Sequence, residues 1–291
     1  TLPPPPRPPP PRPPASAAPF PPPSPPSWAD HLQGRVQRLP LPSWAAYLTF
    51  ILGLALLFHV ALWLEGSLPP GSFSILLLVY ALVPIYFLAF SHYLNVSARR
   101  ALTDYRPLLD VTEHEYATLE YGLTKVPRRI GILAIALGIV IGAVNFLPNP
   151  ASWGVEAGAS ALQMALGLLD TIFVQVVGFY WFAQVIRQAR AIDRIHRFTP
   201  RIHLFRRDPI YAFSALTLRS ALGLVLIMYA YMLGTLFLGL PTPNLLDMMT
   251  IILGGAIALA IFVLPLWRMH RLLVEEKHRL IEILTKYIDA D

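Results

Sequence analysis

ALQMALGLLDTIFVQVVGFYWFAQVI, residues 161–186, contains a single charged side chain, Asp170. About 20 mainly apolar residues are enough for a helix to cross the roughly 30 Å hydrocarbon layer of a membrane. The whole chain is 55% hydrophobic and only 14% charged, against about 25% charged in soluble domains. The sequence therefore predicts an all-α, polytopic integral membrane protein with six transmembrane helices. The predicted spans are 43–63, 73–94, 130–147, 161–186, 211–240 and 245–267.

The positive charge of the chain is distributed by segment. Lys and Arg number four in residues 1–42, six in 95–129, seven in 187–210 and five in 268–291. The segments 64–72, 148–160 and 241–244 contain none, and the remaining cation, Arg219, lies near the start of span five. Cytoplasmic segments are enriched in Lys and Arg. The pattern predicts a bacterial cytoplasmic (inner) membrane protein with both termini inside. Membrane topology therefore explains the net charge of +6, and we expect no nucleic-acid partner.

Three regions follow from these spans. Residues 1–42 are predicted to be a disordered cytoplasmic tether, because sixteen of the 30 prolines fall within residues 1–26. Its Arg-flanked PxxP pattern leaves docking to an SH3-like groove as the alternative. Residues 43–267 form the predicted bundle, with cytoplasmic loops 95–129 and 187–210. Residues 268–291 are a predicted amphipathic helix whose weak heptad seam suggests a coiled coil that is truncated at Asp291.

Loop 95–129 contains a helix start with a specific pattern. Thr112 and Glu115 have the spacing of a capping box, in which each side chain bonds the backbone N–H of the other residue. The apolar residues after them, Leu119, Leu123 and Val126 among them, recur on one helical face. We expect a short helix that packs under the bundle or lies on the membrane surface.

Polar residues inside predicted spans are candidate functional residues, because burying a charge in a membrane costs about 2.5–3.5 kcal/mol. Asp170 lies near the midplane of span four, and the heptad spacing of Gln163, Asp170 and Gln184 places all three on one stripe. His59 and Asn145 are further candidates in spans one and three. The stripe is either a proton, cation or transport site or a set of structural hydrogen-bonding groups.

A second candidate site is basic. A row of arginines continues beyond span four at helical spacing, which predicts contact with anionic lipid headgroups or an acidic partner. The row comprises Arg187, Arg190, Arg194, Arg197 and Arg201. Small residues at four-residue spacing, Ala134, Gly138 and Gly142 in span three and Gly254 and Ala258 in span six, predict close helix packing within or between chains.

Residues 101–129, 201–224 and 265–280 resemble a family of uncharacterised bacterial polytopic membrane proteins. The resemblance implies that the tail helix continues as a cytoplasmic coiled coil towards a further membrane segment. It implies no activity.

The function expected from these patterns is that of a non-enzymatic membrane scaffold or signal-relay protein with cytoplasmic partners. The alternative is a transporter or channel with a polar path around Asp170. No P-loop, Rossmann, GxSxG or HExxH motif occurs, and the chain has no cysteine, so we expect neither catalysis nor a cofactor or metal. The expected partners are the lipid bilayer, its anionic headgroups, and a protein partner or second copy bound through residues 268–291.

Overall fold

The computed structural model describes residues 24–109, 111–155, 158–197 and 208–237, together with single helical positions beyond residue 250. Five helices in this part are long and apolar enough to cross a membrane. The prediction of an all-α, polytopic membrane fold is confirmed at that level. Span 245–267 and the tail 268–291 lie outside the described residues except for single positions. The helices are α1 (Trp28–Gln37), α2 (Ser43–Glu65), α3 (Ile75–Tyr105), α4 (Glu113–Thr124), α5 (Arg128–Phe146), α6 (Ala161–Arg197) and α7 (Asp208–Phe237).

The helices α3 and α6 form the centre of the bundle. Helix α3 packs against α2, α4, α6 and α7, and α6 also packs against α4 and α5. With 31 and 37 residues, they extend about 46 and 55 Å at 1.5 Å per residue, well beyond a 30 Å hydrocarbon layer. Both helices therefore protrude on the side where α4 lies, which we call the α4 end. The loops that join α2 to α3 and α5 to α6 lie at the opposite end, the loop end.

Helix α4 fills the angle between the protruding ends of α3 and α6. Leu119 and Leu123 are buried with Tyr105 of α3 and Ile195 of α6 in one apolar cluster. The predicted capping box is confirmed, because the Thr112 N–H donates to Glu115 over 2.8 Å while the Glu115 N–H donates to the Thr112 hydroxyl. The bond from the Thr112 N–H, together with a second bond of 2.9 Å from the Thr112 hydroxyl, lowers the pKa of the Glu115 carboxyl. The expectation that α4 packs under the bundle is therefore met.

Helix α1 corrects the prediction for the N-terminal region. We expected residues 1–42 to be a disordered tether, but residues 28–37 form α1, which is capped by Ser27 and Asp30. The segment before it is anchored as well. The Ser27 N–H donates to the Val126 carbonyl over 3.0 Å, and the Arg128 N–H donates to the Pro25 carbonyl over 2.9 Å. Residues 1–23, which contain 14 of the 30 prolines, lie outside the described residues.

Helices α5 and α6 pack at very close range through glycine. A Cβ atom added at Gly138 would lie 2.6 Å from the Cα atom of Val176, and one at Gly142 would lie 2.8 Å from the Cα atom of Ile172. The small-residue face predicted for span three therefore packs within one chain. Gly254 and Ala258 of the second predicted face lie outside the described residues.

Candidate functional site

Asp170 is buried in the bundle without a hydrogen-bond partner for one of its oxygens. Only 4% of the residue is exposed, and its Oδ1 atom has no partner. A buried acceptor without a donor is unfavourable, since it loses its bonds to water and gains none in return. We expected Asp170 either to face a polar cavity surrounded by converging polar groups or to form one closed hydrogen bond. Its environment matches neither description.

A cavity of about 440 Å³ lies one helical turn from Asp170, at the loop end. We call it the loop cavity. Asp170 does not line this cavity, but it shares a face of α6 with Gln163, Leu166 and Gly167, which do, and it lies one turn beyond Gly167. Tyr80 of α3 also lines the cavity. The rest of the wall comprises Phe58, Leu62, Ser67, Leu68, Ser74, Leu76, Leu77, Gly154, Val155, Gly158 and Ala159.

Gln163 has a local structural role. Its Oε1 atom accepts a hydrogen bond of 2.9 Å from the backbone N–H of Ser160. The backbone N–H of Gln163 in turn donates over 3.1 Å to the Ser160 hydroxyl. This reciprocal pair caps the start of α6, as a capping box does. Gln163 therefore belongs to the cavity wall and to the helix cap, and it does not hydrogen-bond to Asp170.

Gln184 belongs to a different site, a buried polar network near the α4 end. Its Oε1 atom accepts a hydrogen bond from the Ser91 hydroxyl. Its Nε2 atom donates to the Ser91 carbonyl over 3.0 Å and to the Asn95 Oδ1 atom over 2.9 Å. Gln188 also donates to Asn95, over 3.3 Å. Both functional groups of the Gln184 amide are thus satisfied, as buried polar groups generally are.

The network continues from α3 into α1 and α2. Gln33 of α1 donates to the Ser91 hydroxyl over 3.2 Å and accepts a bond of 2.9 Å from Asn95. His92 contacts Gln37 through Nε2 over 2.9 Å and Tyr47 through Nδ1 over 3.1 Å. Neither Gln33 nor Ser91 is among the candidate residues that the sequence pattern predicts. Gln33 belongs to α1, which is predicted as part of the disordered tether and is therefore not expected to contact the bundle.

An apolar layer separates Asp170 from this network. Asp170 and Gln184 are 14 positions apart on α6, which corresponds to about 21 Å of helix. Within this length Val177 and Tyr180 are buried against Ile85 and Leu88 of α3. The polar stripe expected along α6 is therefore interrupted, and Asp170 and Gln184 belong to separate sites.

His59 is fully occupied by structural contacts. The Ser74 N–H donates to its Nε2 atom over 3.0 Å, so the ring proton lies on Nδ1 and is donated to the Ala55 carbonyl over 2.7 Å. The ring also stacks on Phe73 at 5.1 Å. His59 thus fixes the loop between α2 and α3. Asn145 is half-buried near the end of α5, and neither residue hydrogen-bonds to Asp170.

The arginine row divides into two environments. Arg190 and Arg194 are exposed on α6, whereas Arg187 is half-buried and donates to the Lys125 carbonyl over 3.3 Å. Arg187 therefore lies beside α1 and the α4–α5 turn and is not part of the exposed row. The side chain of Arg197 and the whole of Arg201 lie outside the described residues.

Lys125 of the same turn approaches another buried acid. The Asp30 Oδ2 atom accepts bonds from the Ser27 and Val126 N–H groups, each over 3.1 Å, and Lys125 lies 3.8 Å from the Asp30 Oδ1 atom. Asp30 therefore joins the α1 cap to the turn before α5. Asp30 is not among the residues predicted from the sequence, although its spacing from Ser27 is the signal of a capping box.

The described residues contain no group of three or more His, Asp or Glu side chains arranged to hold a metal ion. Comparison with family models, curated proteins and solved structures found no match. The resemblance to a family of bacterial membrane proteins therefore stays a prediction.

Proposed function

We propose that the chain is a six-span protein of a bacterial cytoplasmic membrane, with both termini and the α4 end in the cytoplasm. The positions of the basic residues support this orientation. Arg99, Lys125 and Arg194 lie at the α4 end, whereas the loops at the loop end contain no Lys or Arg. The sixth span, 245–267, is proposed from its composition, which is as apolar as that of the five described spans.

The chain has no cysteine, so single engineered cysteines report sidedness without background. We expect cysteines at Ser67, Ser152 and Thr242 to react in intact cells with a membrane-impermeant maleimide. A cysteine at Arg194, the control position, should react only after the membrane is opened. Labelling of Arg194→Cys in intact cells, with protection of the other three positions, would reverse the orientation.

We further propose that the protein is a non-enzymatic scaffold or signal-relay protein that acts through cytoplasmic partners. The main observation that supports this function is that packed helices and a hydrogen-bond network form an ordered surface at the α4 end. We call this surface the platform. Helix α4 packs there against the ends of α3 and α6, and helix α1 packs against α2 and α5. The polar network connects α1 to α3 and α6. Such an arrangement joins an exposed helical surface to the spans, as a relay protein requires.

Exposed charge gives the platform its proposed contacts. Arg190 and Arg194 present guanidinium groups suited to anionic lipid headgroups or to carboxylates of a protein partner. Residues 268–291 are the proposed site of a coiled-coil contact with a partner or a second copy.

Photo-crosslinking in living cells tests this function. We expect a photoreactive residue at Arg194 to yield protein adducts of discrete mass, and the same residue at Ser67 to yield none. Removal of residues 268–291 should weaken the adducts if the tail contributes to the contact. The scaffold function would be rejected if Arg194 gave only lipid adducts while the protein remained folded and inserted.

A transporter or channel around Asp170 is the second candidate, supported by the loop cavity and the buried carboxylate near it. The apolar layer around Val177 and Tyr180 stands against a continuous path in this conformation. Uptake of a solute into vesicles that contain the protein separates the two candidates, because a scaffold transports no solute.

A further inference from the structure

The loop cavity has the properties of a small-molecule site. Its volume of about 440 Å³ falls within the range of about 300–1,000 Å³ typical of ligand pockets. Leucines and Phe58 supply apolar walls, while Ser67, Ser74 and Tyr80 supply hydroxyl groups. A few polar groups within an apolar wall orient a ligand and select its chemistry.

Negative charge dominates this end of the protein. Among the described residues of the loops 64–72 and 148–160, Glu65 is acidic and none is Lys or Arg. Asp170 adds a second carboxyl group one helical turn from the cavity, and its Oδ1 atom has no hydrogen-bond donor. A carboxylate accepts hydrogen bonds and donates none, so its complement is a cation that carries N–H groups.

The apolar walls of the cavity favour a cation that also carries a hydrocarbon group. A bare divalent cation requires about six oxygen ligands, and Asp170 is the only buried acid near the cavity among the described residues. Leu62, Leu77 and Leu166 instead offer surface for a hydrocarbon group. Phe58 and Tyr80 add aromatic rings, which attract cations.

We propose that the loop cavity binds a small organic ammonium ion. The ammonium group lies at the side of the cavity nearest Asp170, and the hydrocarbon part packs against the leucines. The site goes beyond the proposed scaffold function, because a scaffold needs no ligand. In a signal-relay protein, binding of this ligand in the loop cavity is the signal, and it is received at the end opposite the platform that contacts the partner.

Equilibrium dialysis tests the site with three probes of similar shape: 2-phenylethylamine, neutral 2-phenylethanol and anionic 3-phenylpropionate. The protein is placed in phosphatidylcholine nanodiscs, and empty nanodiscs measure partitioning into lipid. We expect saturable one-to-one binding of the amine only. Equal protein-dependent binding of the alcohol, or no binding of the amine above empty nanodiscs, would overturn the proposal.

Two variants test the location of the site. Asp170→Asn keeps the shape and removes the charge, so amine binding should weaken at least about tenfold, whereas Asp104→Asn, an exposed acid at the α4 end, should not change it. Ala159→Trp fills the cavity without altering Asp170 and should also abolish binding. Thermal unfolding checks that each variant is folded. Unchanged amine binding in a folded Asp170→Asn or Ala159→Trp variant would refute the site.

Discussion

Replacement of Gly138 by alanine is expected to destabilise the bundle by about 3 kcal/mol, the upper end of the usual cost of overpacking. The added Cβ atom would lie 2.4 Å from Cγ2 and 2.6 Å from the Cα and N atoms of Val176. Two of these atoms belong to the backbone of α6, so a rotamer change cannot relieve the clash. Helices α5 and α6 must instead move apart along an interface that is held by packing alone.

Gly178 supplies the matched control, because it lies in α6 and a Cβ atom there would have no neighbour within 4 Å. Alanine is a better helix former than glycine by about 1 kcal/mol, so Gly178→Ala should leave stability unchanged or raise it slightly. Both variants are compared by titration with sodium dodecyl sulfate in mixed micelles, with tryptophan fluorescence as the readout. Equal stability of the two variants would contradict the close approach of α5 and α6.

The sequence predicts the spans well because their signal is composition over about 20 residues. The bounds of α2 and α5 agree with the predicted spans 43–63 and 130–147 within about two residues. The extensions of α3 to Tyr105 and of α6 to Arg197 are less visible, because helices outside the membrane need no apolar run. Only the three- to four-residue spacing of the arginines indicated that α6 continues.

Periodicity identifies a helical face but not what the face meets. Gln163, Asp170 and Gln184 lie on one stripe, as predicted, yet the first belongs to a helix cap, the second lies one turn from a cavity and the third belongs to a hydrogen-bond network. The partners of Gln184 come from another helix that is distant in sequence. Ser91 and Asn95 are 93 and 89 residues away from Gln184 along the chain.

The N-terminal region shows how composition can conceal structure. Prolines up to residue 26 justified a disordered prediction for the tether, but the segment SWAD after them is a capping signal. The hydrogen bonds of α1 go to Ser91, Asn95 and Val126. No local pattern specifies those contacts, so a segment was assigned to the tether although half of its polar side chains are buried within the bundle.

Apolar substitution of two acceptors on the same stripe of α6 is expected to change stability in opposite directions. Asp170→Val should stabilise the protein by about 1–3 kcal/mol, because it removes a buried acceptor that has no donor. Valine is one atom shorter than aspartate, so the substitution does not lengthen the buried side chain. The same variant should lose amine binding, which makes Asp170 a residue kept at the expense of stability.

Gln184→Leu should destabilise the protein by about 1–3 kcal/mol, because it leaves the buried Ser91 hydroxyl and the Asn95 amide with fewer partners. The two residues are 4% and 2% exposed, so a difference in burial cannot explain opposite signs. Titration with sodium dodecyl sulfate measures both variants against the natural chain. A loss of stability in Asp170→Val as large as that in Gln184→Leu would mean that Asp170 has a hydrogen-bond partner in the membrane. The carboxylate would then be structural, and its role in the loop cavity would have to be abandoned.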